Sequence, residues 1–431
     1  MPPTNDTNQP QTYAEILREA SIPVAPNFSP GAEYAPDTRL FQGIPSLERS
    51  PGGRLWAAWY AGGQGEGCFN YVLLTSSDDE GESWSPPALV LDPPGKVRAS
   101  DECLWLDPRG RLWLFWYQGH TLHDGKGGVW AIVTDDPDNT NPVWSAPRRL
   151  MDGVMNNKPT VLESGEWLLP VTRLGPEAIG NERRMLPNRF RTGILPMLNP
   201  EQMSEIDERS GATVHVSKDF GKTFSERGKA VVPLEFSTHF EHMMIERRDR
   251  SLLMFLRTKY GIGKSTSSDA GKTWSPVVET GIPHCSSRFF FRRLQSGNLL
   301  LVIHGNMKST DENGEPLKVM RTHLTAFFSD DDAETWKGGL LLEERRCSYP
   351  DGFQAPDGTI SIIYDRDRRR EKMILMTRFT EEDILNGSYL SPHSKQHILI
   401  DQATGVITDD ISWERMRVED GEKQKLIYTG I

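Results

Sequence analysis

The sequence predicts an all-β fold: a β-propeller of six blades built as one domain, with seven blades as the structural alternative. Two interleaved repeats and the composition lead there. The 431 residues include 12 Trp, 38 Gly and 30 Pro, a mixture expected of many short strands joined by tight turns. One repeat is an eight-residue box, and the other is a turn followed by an apolar strand. Units of roughly 50 residues, each holding several short strands, mark a propeller.

Taken in chain order, residues 1–36 read as an extension with a short helix over Thr12 to Ala20, and residues 37–431 as the propeller. The turn-plus-strand repeat appears as Gly53-Arg54-Leu55-Trp56-Ala57-Ala58-Trp59 and Gly110-Arg111-Leu112-Trp113-Leu114-Phe115-Trp116. It returns at Gly165, Arg250 (without the Gly), Gly297 and Gly358, at intervals of 57, 55, 85, 47 and 61 residues. The long interval leaves room for an insertion around 175–210, or for a hidden seventh blade. Between these strands lie boxes of pattern S-x-D-x-G-x-[TS]-[WF], at Ser77–Trp84, Ser217–Phe224 and Ser267–Trp274. The copy at Ser329–Trp336 has Ala333 for Gly, and Thr134-Asp135-Asp136 with Trp144 is a stretched fifth. In each box the Asp accepts backbone N–H bonds, the Gly supplies positive φ, and the aromatic ring plugs the hairpin. A second short helix is expected from Thr380 to Leu385, with Thr380 as its N-cap; both helices are expected on the propeller's outside.

Charge and composition exclude several functions. Lys and Arg number 49 against 60 Asp and Glu, a net charge of −11, so a nucleic-acid partner is not expected. No run approaches the roughly 20 apolar residues of a membrane span, and Met1 to Pro10 is polar. A cytoplasmic location is expected for the chain as it stands, and a secreted or periplasmic one if a signal was removed. Cys68, Cys103, Cys285 and Cys347 are far apart without a CxxC and read as buried free thiols. No ligand spacing such as HExxH occurs, so neither a metal nor a cofactor is expected.

The repeated box resembles the Asp-box, or BNR repeat, of the sialidase superfamily. That resemblance implies a tyrosine nucleophile activated by a glutamate, three arginines on the substrate carboxylate, and an aspartate as acid/base. Glu241-His242-Met243-Met244 leading to Arg257 matches the glutamate and second arginine of the pattern. Arg321, the box at Ser329, and Ser348-Tyr349-Pro350-Asp351 match the third arginine and the tyrosine. Two positions depart. The first arginine should precede Ile44-Pro45, where Gly43 stands. The acid/base should lie before the first box, where the one carboxylate, Glu66, reads as a solvated loop residue.

Other polar residues fall where strands should emerge at the mouth: His120 and His123, Asn157 and Lys158, Arg288, His304, and His239 and His242 beside Glu241. Asp351 follows the tyrosine, and the insertion adds Arg183, Arg184, Arg189 and Arg191. Three readings stay open. The first is an exo-acting glycosidase cleaving a carboxylate-bearing terminal sugar, with Tyr349 and Glu241 catalytic. The substrate would be held by Arg257, Arg321, Arg288, Lys158, Asn157, Asp351, His304 and Arg184. The second is a polysaccharide lyase acting at a uronate such as a rhamnosyl-glucuronate end, with His120 or His123 as base. The third is a non-catalytic glycan-binding propeller. In each case the partner is an acidic oligosaccharide.

Overall fold

A computed structural model describes residues 12–179, 194–308, 318–406, 418–419 and 422–423. Among these, six four-stranded antiparallel sheets form a ring, each from four consecutive strands. The blades are β1–β4 (Gln42–Arg49, Leu55–Ala61, Tyr71–Ser77, Leu89–Leu91) and β5–β8 (Val97–Leu106, Leu112–His120, Gly128–Thr134, Arg148–Asp152). Next come β9–β12 (Thr160–Val161, Trp167–Arg173, Gly211–Ser217, Ser225–Ala230) and β13–β16 (Phe240–Glu246, Leu252–Thr258, Gly261–Ser267, Val278–Glu279). The last two are β17–β20 (Phe290–Arg293, Leu299–His304, Leu324–Ser329, Lys337–Glu343) and β21–β24 (Cys347–Gln354, Ile360–Arg366, Met373–Phe379, Lys395–Gln402). The long interval holds no seventh sheet among the described residues. It carries α2 (Pro176–Ile179) and α3 (Pro200–Arg209), following α1 (Tyr13–Ala20), with α4 (Glu381–Asn386) in the last blade.

The repeat strand β2 is apolar at every position because both faces of its sheet are covered. On β2, Leu55, Ala57 and Trp59 pack with Ile363 and Met376 of the last blade. The intervening Trp56, Ala58 and Tyr60 pack with Leu112, Leu114 and Trp116 of the second. Strand side chains alternate between faces, so one heptapeptide fills two inter-blade cores. The same interleaving continues around the ring.

Among the described residues no strand is exchanged to close the circle. Besides the apolar seam, Arg39 closes it with two bonds to Asp401 (2.8 and 3.1 Å) and one to Gln42 Oε1 (2.8 Å). The boxes lie at the hairpins after the third strands, as in Asp269, which accepts from Ser267 Oγ, Thr273 N and Thr273 Oγ1.

The sequence missed α3, whose Asn199 N-cap forms a capping box with Gln202. The N-terminal helix α1 lies against the inserted helices. Ile16 of that helix packs with Ile179 and Ile206, and Tyr13 Oη donates to Asp124 O beside the mouth (2.9 Å). Cys68 is buried, the thiols of Cys103 and Cys347 are free and buried, and Cys285 is only half-buried.

Candidate active site

The site begins with an irregularity in the innermost strands. Register shifts interrupt β1 between Gly43 and Ser46, β5 between Ser100 and Cys103, β13 between Phe240 and Met243, and β21 between Ser348 and Asp351. The first residue of each bulge has positive φ: Ile44 at 56°, Asp101 at 51°, Glu241 at 40° and Tyr349 at 57°. Non-glycine residues rarely adopt this conformation, and a bulge re-aims a side chain away from the regular pleat. Here the four bulges direct their residues into one cavity of about 390 Å³ at the mouth.

Tyr349 Oη donates to Glu241 Oε1 (2.9 Å), and Arg257 Nη1 donates both to Glu241 Oε2 (2.8 Å) and to Tyr349 Oη (3.1 Å). Burial opposes ionisation of Glu241, but the Arg257 charge outweighs it and holds the carboxyl down at about 2. Burial, reinforced by that carboxylate, pushes the Tyr349 phenol up to about 12. The resting pair is therefore a neutral phenol donating to a carboxylate. Asn157 Nδ2 fixes the strand behind it by donating to the carbonyls of Glu241 (2.9 Å) and His242 (3.1 Å).

A second carboxyl faces the cavity from β5. Asp101 accepts from Arg98 Nη2 (3.2 Å) and Ser100 Oγ (2.9 Å). Burial raises its pKa above the ordinary aspartate value in spite of Arg98. Glu66 is no free loop residue: it accepts from Arg368 Nη1 (3.0 Å), and its side chain is 20% exposed. Burial works against its charge, yet Arg368 and Arg98 lower its pKa. The two carboxyls are thus pushed in opposite directions.

Of the other residues singled out by sequence, Arg321 lines the cavity, with Nη2 donating to Ser286 O (2.8 Å) and no carboxylate within 4 Å among the described residues. His123 lines it too, its basicity lowered by burial and then by Arg98. The rest differ from expectation. His120 is fully buried near Glu19 of α1 (3.5 Å), so it is shut off from the mouth. His304 stacks on His284 with ring centroids 5.5 Å apart inside the fifth blade.

Arg288 is spent on carbonyls beneath the site, donating to Asn156, Pro45 and Tyr349. Lys158 and Asp351, 3.4 Å apart, line a second cavity that shares no residue with the one at the mouth; there Lys158 also bonds Glu48 and Asp351 accepts from Ser46 Oγ. Asn157 donates to backbone and lines that second cavity, not the one at the mouth. Arg184, with Arg183, Arg189 and Arg191, lies outside the described residues.

Sequence reasoning missed Arg98, Asp101 and Arg368. For Asp101 a signal existed: Ile44, Asp101, Asn156, Glu241, Arg288 and Tyr349 each stand nine residues before a turn of the strand repeat. Arg368 lies on the loop between β22 and β23, outside any repeat, and no local signal marks it. Among the described residues no cluster of metal-ligating side chains occurs.

Residues 53–362 match the model of a family described as the BNR repeat-like domain. No curated protein sequence matches the chain. Among solved structures, a Dyadobacter fermentans protein of unknown function is similar at 14% identity and TM-score 0.56, covering 78% of this chain and 92% of its own. The intramolecular trans-sialidase of Ruminococcus gnavus in complex with oseltamivir carboxylate is similar at 15% identity and TM-score 0.55 (82% and 96%). The NanB sialidase of Streptococcus pneumoniae follows at 13% and 0.54 (80% and 68%). At these identities the likeness is one of fold.

Proposed function

Because the chain belongs to the BNR repeat-like domain family, and because its mouth holds a tyrosine–glutamate–arginine contact, we propose that it is a glycoside hydrolase removing a terminal, carboxylate-bearing sugar. The observation that carries this reading is the Tyr349–Glu241 hydrogen bond of 2.9 Å, clamped by Arg257. The sialidases among its structural neighbours agree with it.

The pKa separation of the pair dictates the order of events. A phenol near 12 does not ionise beside a carboxylate near 2 on its own, so its proton moves as the new bond forms. Tyr349 Oη attacks the anomeric carbon and its proton passes to Glu241. The bond to the leaving oxygen breaks, and that oxygen takes the proton of Asp101. In the second step Asp101 removes a proton from water, the hydroxide displaces Tyr349 from the sugar, and Glu241 returns the phenolic proton. Arg257 and Arg321 hold the substrate carboxylate through charge-assisted bonds. A neutral nucleophile suits an anionic sugar, which would repel a carboxylate.

A second reading is favoured by His123, whose neutral imidazole faces the same cavity. It would serve as the base removing the proton α to a uronate carboxylate, making the protein a lyase. One experiment separates them. Sialosides and glucuronate-capped oligosaccharides are incubated with the protein, and released sugar is followed together with the ultraviolet absorbance of an unsaturated uronate. Release without absorbance is expected. Release with absorbance means elimination, and neither signal across the panel leaves a binding module. Tyr349→Phe is expected to lower hydrolysis by roughly a thousandfold with an unchanged melting temperature; full activity in that variant removes Tyr349 as nucleophile.

A further inference from the structure

We propose that Arg368, on the last blade, supplies a third cation to this carboxylate site, and that glycine at position 43 of the first blade is what admits it. The inference rests on the reading of the mouth as a carboxylate-binding site.

Gly43 is not required by its backbone, because it is absent from the glycines with positive φ. It is required by space. A Cβ at this position would lie 2.5 Å from Arg368 Cγ, closer still to Cδ, and 3.0 Å from Asp365 Oδ2. Such approaches are far inside van der Waals contact, so position 43 and the Arg368 stem occupy one volume. The loop between β22 and β23 is held there by Gln42 N, which donates to Arg368 O (3.3 Å).

The guanidinium then reaches the reacting tyrosine. Its central carbon lies 5.1 Å from the Tyr349 ring centroid, against 5.6 Å for Arg321. Among the described residues, the bond of Arg368 Nη1 to Glu66 leaves its other terminal nitrogen without a hydrogen-bond partner, and Arg321 commits only Nη2. The cavity is lined by four guanidiniums, of Arg98, Arg257, Arg321 and Arg368, against three carboxyls, of Glu66, Asp101 and Glu241. Asp101 carries its proton, so the carboxylates facing these four cations are Glu66, Glu241 and Asp365, the last 3.8 Å from Arg368 Nε; the one positive charge left over, in a chain of net −11, calls for one anion. Glu66 orients Arg368, as a carboxylate orients a guanidinium through its planar fork, which assigns it a positioning role.

The test measures affinity for N-acetylneuraminate and D-glucuronate against their uncharged methyl esters. The wild-type protein is expected to prefer the acid. Arg368→Ala is expected to weaken acid binding by about 10- to 100-fold while leaving ester binding unchanged. Gly43→Ala is expected to produce a similar loss although it removes no charge, because the added methyl expels the Arg368 stem. Gly43→Arg combined with Arg368→Ala is expected to recover part of the preference, since the vacated volume accepts the new side chain.

Melting curves on every variant separate these effects from unfolding, and Arg368→Gln replaces the alanine variant if that one does not fold. If Arg368→Ala keeps the acid-over-ester ratio while Arg257→Ala abolishes it, the anion site stands and Arg368 is not part of it. If the wild-type protein itself does not distinguish acid from ester, the anion-site reading fails and the inference with it.

Discussion

At Asp101 and Glu66, two carboxyls in one cavity are driven apart by their surroundings. Glu66 is tied to Arg368 and favours its charged form, whereas burial favours the protonated form of Asp101. A group that donates a proton to a leaving oxygen must hold that proton at the working pH. Activity is therefore expected to fall as pH rises through the elevated pKa of Asp101. Asp101→Asn is expected to abolish that alkaline limb and cost roughly 10²- to 10⁴-fold on a natural glycan. On an aryl glycoside, whose leaving group needs no proton, most of the rate should survive. An unchanged alkaline limb in the variant assigns the proton elsewhere.

Burial in the ring also explains why two histidines read as site residues, His120 as catalytic and His304 as substrate-binding, are excluded. His120 and His304 end repeat strands as expected, yet their rings turn into inter-element contacts. The end of a strand is a position along the chain; the direction of its side chain depends on which face the pleat presents there.

Among the elements, the boxes are the most locally determined. In three of them the residue after the αL-like position is glycine: Gly81 at φ 85°, Gly221 at 80° and Gly271 at 88°. In the fourth, Ala333 holds the same conformation at 74°, which costs an L-residue about 1–2 kcal/mol. Part of that cost is offset by the greater freedom glycine has when unfolded. Ala333→Gly is therefore expected to stabilise the protein by about 0.5–1 kcal/mol, and Gly271→Ala to destabilise it by a similar amount. Denaturant midpoints of the two variants check the pair. Equal or inverted shifts would show that packing of the Ala333 methyl against the fifth blade dominates.

The inner-strand bulges belong to the same scale. They give the molecule its chemistry at a cost of about 1–3 kcal/mol per strained residue, and their nine-residue offset from the following turn is written in the chain. The boxes and the bulges thus serve opposite ends of the blades, one end stapled and the other reactive.

For the whole molecule, the decisive feature is a ring closed without strand exchange. The first and last blades meet through an apolar seam and the Arg39–Gln42–Asp401 network. Arg39 is 1% exposed, and breaking a buried pair by removing one partner costs about 3–5 kcal/mol. Arg39→Ala is expected to lower stability by about 3 kcal/mol and to make the last blade the first site of limited proteolysis. A variant that melts earlier while its first cleavage falls elsewhere would show that the ring does not open at this seam.

Resemblance to the sialidase superfamily marked Tyr349, Glu241, Arg257 and Arg321; the sequence by itself determined the scaffold, six turn-plus-strand repeats and the box turns. Each of these depends on chemistry within a few residues, a φ-permissive glycine, a capping hydroxyl or a fixed offset from a turn. Tertiary structure alone decided which cations meet Tyr349, why Gly43 is glycine, and that Asp101 and Glu66 share a cavity. Those outcomes depend on volume and charge shared between blades at the mouth of the ring, where residues distant in the chain compete for the same few ångströms.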